Sequence, residues 1–178
     1  MRALARMTGI AIACAFLGVD VASAQPATMG CSSEQRPNAA QTLRCRNGLT
    51  IVAEEGAKFA LQSFDKKGDI DSVDLQSKAL LLDAPKQRGK NRFQVTTPQA
   101  IAAVRGTKWA VDAQETRTSV LVLRGQVAVR KPAGAGRVVG QVVLGPGEGV
   151  DVDRGTEPLV VKRWPQPRVD ALLARLGQ

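Results

Sequence analysis

Short apolar runs alternate with turn residues along most of the chain from Gly48 onward, at intervals of roughly ten positions, which is typical of an all-β protein. Phe59 and Leu61 share one strand face, and polar or small residues occupy the other. Residues 120–123 are apolar at every position, which predicts a strand covered on both faces and favours stacked sheets over one open sheet. The predicted strands cover residues 49–53, 58–64, 72–82, 92–97, 107–112, 119–123, 126–130, 137–144, 149–153 and 159–162.

The C-terminal end follows a different period. Prolines at Pro165 and Pro167 interrupt the strand pattern, and apolar residues then recur at the i, i+3, i+4 and i+7 spacing of one helix stripe. This spacing predicts a short helix over 167–176 that packs on the β core. The alternative is a helix that binds a partner. The stripe consists of Val169, Leu172, Leu173 and Leu176.

The N-terminus has the three-part layout of a secretory signal peptide. Arg2 and Arg6 precede an apolar run over 10–19, which ends at a small-residue motif, Ala22-Ser23-Ala24. The run is shorter than the roughly 20 residues that a membrane-spanning helix needs. We therefore expect cleavage after Ala24 and a periplasmic or secreted protein with no transmembrane segment after cleavage. A retained N-terminal anchor is the alternative.

Residues 25–47 are polar and lack periodicity, so they predict an irregular N-terminal arm. Cleavage after residue 24 would leave Cys31 and Cys45 as the remaining cysteines, and an oxidising compartment would let them pair. Closing a loop of roughly 15 residues stabilises a fold by about 3 kcal/mol in the chain-entropy model. Two free buried thiols are the alternative.

The chain is strongly basic, and this directs attention to anionic partners. Loss of Arg2, Arg6 and Asp20 with the predicted signal peptide lowers the formal charge only from +9 to +8. For an exported protein such a charge favours lipopolysaccharide, anionic lipid or another anionic envelope polymer over nucleic acid. Four alternating cations would share one face of an extended segment, which predicts an anion-binding patch; a solvated loop is the alternative. The four cations are Lys86, Arg88, Lys90 and Arg92.

The chain lacks the residues that several classes of enzyme need for catalysis. The absence of histidine excludes Ser-His-Asp and Cys-His catalysis and the common zinc sites. We expect no enzyme activity, no catalytic residue, no metal and no cofactor. Carboxylates over 65–74 approach the spacing of a calcium loop, but Lys66 and Lys67 intrude, so a solvated hairpin tip is favoured over a cation site.

A distinctive corner sequence lies in the middle of the chain. Pro98 cannot donate a ladder hydrogen bond, so the preceding strand must end or bend there. Gly106 allows a backbone geometry that a Cβ would forbid. Arg105 lies in an apolar stretch, so we expect it to be buried and to cap carbonyl groups. These features favour a structural corner over a ligand site. The motif residues are Thr97, Pro98, Val104, Arg105, Gly106, Thr107 and Trp109.

This corner, within residues 93–111, resembles the FecR domain family, and segments 120–127 and 144–149 extend the resemblance. The resemblance implies an all-β fold, β-solenoid-like or a curled β-sandwich, in a periplasmic domain often found in regulators of surface signalling. The signalling members carry a cytoplasmic segment and a transmembrane helix before this domain, whereas a signal peptide is predicted here.

We therefore expect an exported FecR-like binding or scaffold module with an unknown envelope protein or an anionic envelope polymer as its partner. The alternative is an accessory protein in cell-surface signalling that acts through a separate membrane regulator. The expected layout is a signal peptide over 1–24, the arm over 25–47, the β domain over 48–163 and the C-terminal helix over 164–178.

Overall fold

The structure is a computed structural model, and it describes residues 30–34, 39–64, 68–86, 92–133 and 136–178. The predicted signal peptide, the middle of the calcium-like segment, and Arg88 and Lys90 of the predicted anion patch lie outside the described residues. Within the described part of the chain, no helix has the length and apolarity needed to cross a membrane.

Within the described residues, thirteen strands and one short C-terminal helix form the fold, so the predicted all-β class with a terminal helix is confirmed. The strands make one continuous, curled and nearly closed sheet. The elements are β1 (Cys31–Glu34), β2 (Gln41–Cys45), β3 (Thr50–Ala53), β4 (Lys58–Phe64), β5 (Ile70–Asp83), β6 (Phe93–Thr96), β7 (Ile101–Val104), β8 (Lys108–Ala113), β9 (Arg117–Arg124), β10 (Val127–Ala133), β11 (Arg137–Leu144), β12 (Glu148–Asp153), β13 (Val161–Arg163) and α1 (Gln166–Arg175).

The long strand β5 divides the curled sheet into two halves. Its residues 78–83 pair with β3 and β8, and its earlier residues pair with β4 and β6. Lys78, with φ of 66°, lies where β5 changes its pairing partners, and its Nζ donates to the Glu55 carbonyl. We call the half ordered β1-β2-β3-β5-β8-β9-β12-β13 sheet A, and the half ordered β4-β5-β6-β7-β10-β11 sheet B.

The inner faces of the two sheets enclose the main core. Trp109 of sheet A is fully buried and meets Phe93 of sheet B edge to face, with ring centroids 5.8 Å apart. Such a pair adds about 0.5–1.5 kcal/mol beyond the burial of its area. Alternating residues of the other strands complete this core, among them Val95, Val111 and Val129.

Helix α1 covers the outer face of sheet A. Leu172 and Leu176 are buried against Leu81, Ala110 and Leu121, so these strands have apolar cover on both faces. This confirms the prediction made for residues 120–123 and the packing of the terminal helix on the β core. The helix begins after Pro165 with a proline in its first turn, where the missing N–H has no helical partner to lose.

The predicted irregular arm was wrong over its described residues. Strands β1 and β2 pair with each other, and β2 pairs with β3 at the end of sheet A. Cys31 lies directly opposite Cys45, and the two sulfurs form a disulfide of 2.07 Å, as predicted. The sequence did not indicate these strands because few of their side chains are buried: only Cys31 of β1 and only Leu43 of β2.

Candidate functional site

The Thr97 corner connects β6 to β7 through a closed set of local hydrogen bonds. The Thr97 N–H donates to the Ala100 carbonyl at 2.8 Å, and the Ala100 N–H donates to Thr97 Oγ1 at 2.9 Å. Pro98 lies inside this turn, where its missing N–H costs no ladder bond, and β6 ends before it at Thr96. The predicted end of the strand before Pro98 is therefore observed.

The same threonine reaches across to sheet A. Thr97 Oγ1 lies 2.8 Å from Thr118 Oγ1 on β9, and the Thr118 hydroxyl donates to Gln99 Oε1 at 2.8 Å. Gln99 Nε2 in turn donates to the Glu115 carbonyl at 3.0 Å. Thr97, Gln99 and Thr118 are all buried, so the network satisfies polar groups that would otherwise be costly inside the protein.

The second half of the motif forms the connection from β7 to β8. Gly106 has φ of 70°, and a Cβ there would overlap the side chain of Lys86 and crowd its Cα at 3.2 Å. Thr107 is fully buried; its hydroxyl donates to the Gln126 carbonyl at 3.0 Å, and its backbone pairs with Ala84 in both directions. These contacts tie together the connections that contain Ala84, Thr107 and Gln126.

Arg105 is exposed, and the prediction of a buried, carbonyl-capping arginine was wrong. It follows the last residue of β7, Val104, and precedes Gly106 in the turn, so its long side chain leaves the core and extends along the surface. An Arg-Gly pair directly after an apolar strand is a turn signal, which could have placed the residue correctly.

Arg105 and Arg92 line a groove on the outside of sheet B, which we call the basic groove. Its volume is about 570 Å³. Ala103 of β7, Ala128 of β10 and Val143 of β11 lie side by side across the strands, and the two small alanines leave room above the sheet. The groove is lined by Arg92, Ala103, Val104, Arg105, Gln126, Ala128 and Val143.

The cations of the basic groove have no carboxylate partners among the described residues. Arg92 and Arg105 are both exposed, and neither forms an ion pair or a side-chain hydrogen bond with the described part of the chain. Lys86 is exposed too, and its aliphatic stem packs on Gly106, next to Arg105. The structure therefore retains Lys86 and Arg92 from the predicted patch as surface cations and adds Arg105.

The corner, and every lining residue of the basic groove except Val143, lie inside the segment that matches a known family. Residues 34–128, more than half of the chain, match the sequence model described as FecR protein. The chain belongs to the FecR family. The resemblance carried by the Thr97–Trp109 motif is thus confirmed, while β11, β12, β13 and α1 lie outside the matched segment of this FecR-family chain. No curated protein matches it.

Two solved structures share the fold of this FecR-family chain. Both are crystal structures of a "putative anti-sigma factor" from Parabacteroides distasonis ATCC 8503, solved at 1.65 Å and 2.50 Å. They align with TM-scores of 0.59 and 0.60 at 21% and 19% identity, covering 76% and 80% of this chain. The chain spans only 61% and 64% of those two proteins, so the likeness establishes the architecture.

Two charged clusters attach α1 to sheet A. Arg175 pairs with Glu54 and with Asp112, and hydrogen bonds to Asp112 first and Glu54 second raise the pKa of its guanidinium. Arg168 pairs with Asp151, and its guanidinium lies 3.5 Å from the centroid of the Trp164 ring. These groups are occupied by structural contacts.

The calcium-like segment holds no cation site within the part that the structure describes. Strand β4 ends at Phe64 and β5 begins at Ile70, so the segment is the connection of an antiparallel pair. Among the described residues, no group of three cysteine or carboxylate side chains is placed to hold a metal ion. The hairpin interpretation is the one that the strand pairing supports.

Proposed function

We propose that this FecR-family chain is an exported, non-catalytic binding module of the bacterial cell envelope, and that its basic groove receives an anionic envelope partner. The proposal rests on one observation: Arg92 and Arg105 line the same groove, and neither has an ion-pair partner among the described residues. The polar side chains Thr97, Gln99 and Thr118 of the corner are buried and hydrogen-bonded within the fold, so the groove is the surface that we propose for recognition.

The physical basis is cooperative electrostatics. One exposed cation contributes little because salt screens surface charges over about 10 Å at 0.1 M. Two guanidinium groups at one groove act together, and their planar forks match carboxylate and phosphate oxygens. The net charge of the chain, +9 over its whole length, adds long-range attraction. Lipopolysaccharide and anionic lipid both present the phosphate groups that this groove would bind.

Binding to lipopolysaccharide and to anionic lipid vesicles tests the groove. The double variant Arg92→Ser, Arg105→Ser should bind at least tenfold more weakly than the wild type. The control is Arg154→Ser, Lys162→Ser, which removes the same charge from exposed positions outside the groove. Affinity should fall steeply with salt. An equal loss in both double variants would contradict a groove site, and salt-independent binding would contradict the electrostatic mechanism.

Export is tested on the protein recovered from the cell envelope. N-terminal sequencing should begin at Gln25, because Ala22-Ser23-Ala24 has the small-residue pattern that signal peptidase accepts. A mature protein that begins at Met1 and sediments with membranes would contradict export with cleavage and would favour a retained anchor.

The second candidate function is an accessory role in cell-surface signalling through a separate membrane regulator. Membership of the FecR family and the shared fold with a "putative anti-sigma factor" favour a signalling-related role. A pull-down from envelope extract distinguishes the candidates. Recovery of a membrane regulator by the wild type and by the groove variant alike would favour signalling through another surface, whereas recovery of anionic polymer by the wild type alone would favour the groove.

A further inference from the structure

Strand β11 is an edge of sheet B with an unusual amount of exposed apolar surface. Among the described residues it pairs only with β10. Its residues Val138, Val139 and Val143 are 46%, 51% and 54% exposed, and Val160 at 55% is the other large hydrophobic residue so exposed in the described part. An edge strand with free backbone groups and exposed valines is a template for pairing with another strand.

The other edges within the described residues carry features that hinder pairing. Strand β13 has three residues and is followed by Pro165 and Pro167. Strand β4 has three register irregularities against β5, and β1 has only four residues. In β11 the irregularity lies near its start, between the partners of Lys131 and Pro132, and pairing is regular from Gly140 to Leu144. Short, interrupted or proline-flanked edges resist edge-to-edge association, and this strand lacks those protections over its second half.

Three of the exposed residues of β11 are spaced symmetrically about Gln141. Val139, Gln141 and Val143 are exposed, and the intervening Gly140 and Val142 are partly buried. If two copies of this strand pair antiparallel about Gln141, each Val139 lies opposite the second copy's Val143, and Gln141 lies opposite itself. Directly opposite side chains on one sheet face approach to about 5 Å, so the valines would bury each other.

We propose that the chain forms a two-fold symmetric homodimer in which the β11 strands of two copies pair antiparallel about Gln141. The self-complementary pattern favours a second copy of this chain as the partner, because a two-fold interface uses the same patch on both subunits. The dimer would join the two B sheets edge to edge. Since Val143 also lines the basic groove, both grooves would then lie on one continuous outer surface.

Charge determines how this association responds to salt. Two copies of a basic chain repel each other, and salt screens that repulsion, so the dimer strengthens as the salt concentration rises. Polyanion binding at the groove responds in the opposite direction. The two proposals therefore fail independently: a monomeric chain that still binds polyanions would overturn only the dimer, and a dimer that ignores polyanions would overturn only the groove.

Sedimentation of the purified full chain over a range of concentrations and salts tests the dimer. The wild type should dimerise, more strongly at high salt. Val139→Lys should weaken dimerisation at least tenfold, and Val160→Lys, the same change at a similarly exposed valine outside β11, should leave it unchanged. A wild type that stays monomeric at every concentration, or equal dimerisation by both variants, would overturn the proposal.

A cysteine substitution at the proposed axis tests the register. Gln141→Cys should form an intermolecular disulfide under mild oxidation, because the two thiols would face each other across the axis. Val160→Cys is the matched control and should cross-link much more slowly. Equal rates for the two variants would overturn the pairing about Gln141. Capture of an unrelated strand by β11, with no homodimer at any salt concentration, would also overturn the proposal.

Discussion

Thr97 Oγ1 and Thr118 Oγ1 lie 2.8 Å apart, and this contact joins the corner of sheet B to the start of β9 in sheet A. Both hydroxyls are buried, and each has a further partner, so the pair belongs to a connected network. The buried polar residues of the family motif therefore join the two halves of the curled sheet.

Replacing Thr118 by valine should destabilise the protein by about 1–3 kcal/mol. The substitution keeps the shape of the side chain but removes the donor to Gln99 Oε1 and the partner of the Thr97 hydroxyl. Chemical denaturation of Thr118→Val measures the loss. Thr42→Val, at a half-buried strand position whose side chain has no hydrogen bond to the described residues, is the control and should change stability little. Equal effects would show that the network contributes nothing specific.

A methyl group at Gly106 should destabilise the protein by more than the left-handed backbone conformation of this residue alone explains. Gly106→Ala would place a Cβ against Lys86, and the expected loss is about 2–4 kcal/mol from left-handed strain and overpacking combined. Gly136→Ala is the matched control, because Gly136 has φ of 73° but nothing within 4 Å of a Cβ. It should lose only about 1 kcal/mol. If the melting temperatures of Gly106→Ala and Gly136→Ala fall by the same amount, close packing between Lys86 and Gly106 is contradicted.

The sequence allowed most of the fold to be predicted where side chains alternate between core and surface. Strands β4 and β11 were predicted with the observed bounds. The stripe of α1 was found because its apolar residues recur with the period of a helix. The bend of β5 at Lys78 was missed, since a lysine with positive φ has no local sequence signal and is held there by its partners.

The candidate site was harder to predict because it depends on which strands become neighbours. Arg92 and Arg105 are separated in sequence, and only the pairing of β6 with β7 brings their strands together. The apolar neighbours of Arg105 suggested burial, whereas the turn at Gly106 directs it outward. The pattern of two alanines that opens the groove becomes visible only when β7 and β10 are aligned.

Loss of the Cys31–Cys45 disulfide should lower the free energy of unfolding by about 3 kcal/mol in the chain-entropy model. The double variant Cys31→Ser, Cys45→Ser avoids leaving one reactive thiol, and denaturant titration measures its stability. Reductant should destabilise the wild type and leave the double variant unchanged. Alkylation of both thiols in the native, unreduced protein recovered from an oxidising compartment would contradict the disulfide.

The contact between Asp151 and Arg168 should make the attachment of α1 sensitive to acid. Burial raises the pKa of the Asp151 carboxyl, but hydrogen bonds from Arg168 and Ser119 lower it by a larger amount. The pKa of this carboxyl in the folded protein therefore lies below its ordinary value of 3.8. A carboxyl with a lower pKa in the folded state stabilises the protein above its unfolded pKa. That contribution should disappear as the pH falls below 3.8 and through the folded pKa.

A double-mutant cycle isolates this contribution from the stacking of Arg168 on Trp164. The cycle compares the wild type, Asp151→Asn, Arg168→Gln and the double variant by denaturant unfolding. The coupling should be on the order of 1 kcal/mol at about pH 6, because solvent screens a partly exposed pair, and it should weaken as the pH falls below 3.8. A coupling that does not change with pH would contradict the role of the Asp151 charge, and the helix would then be held by its leucines and by Arg175.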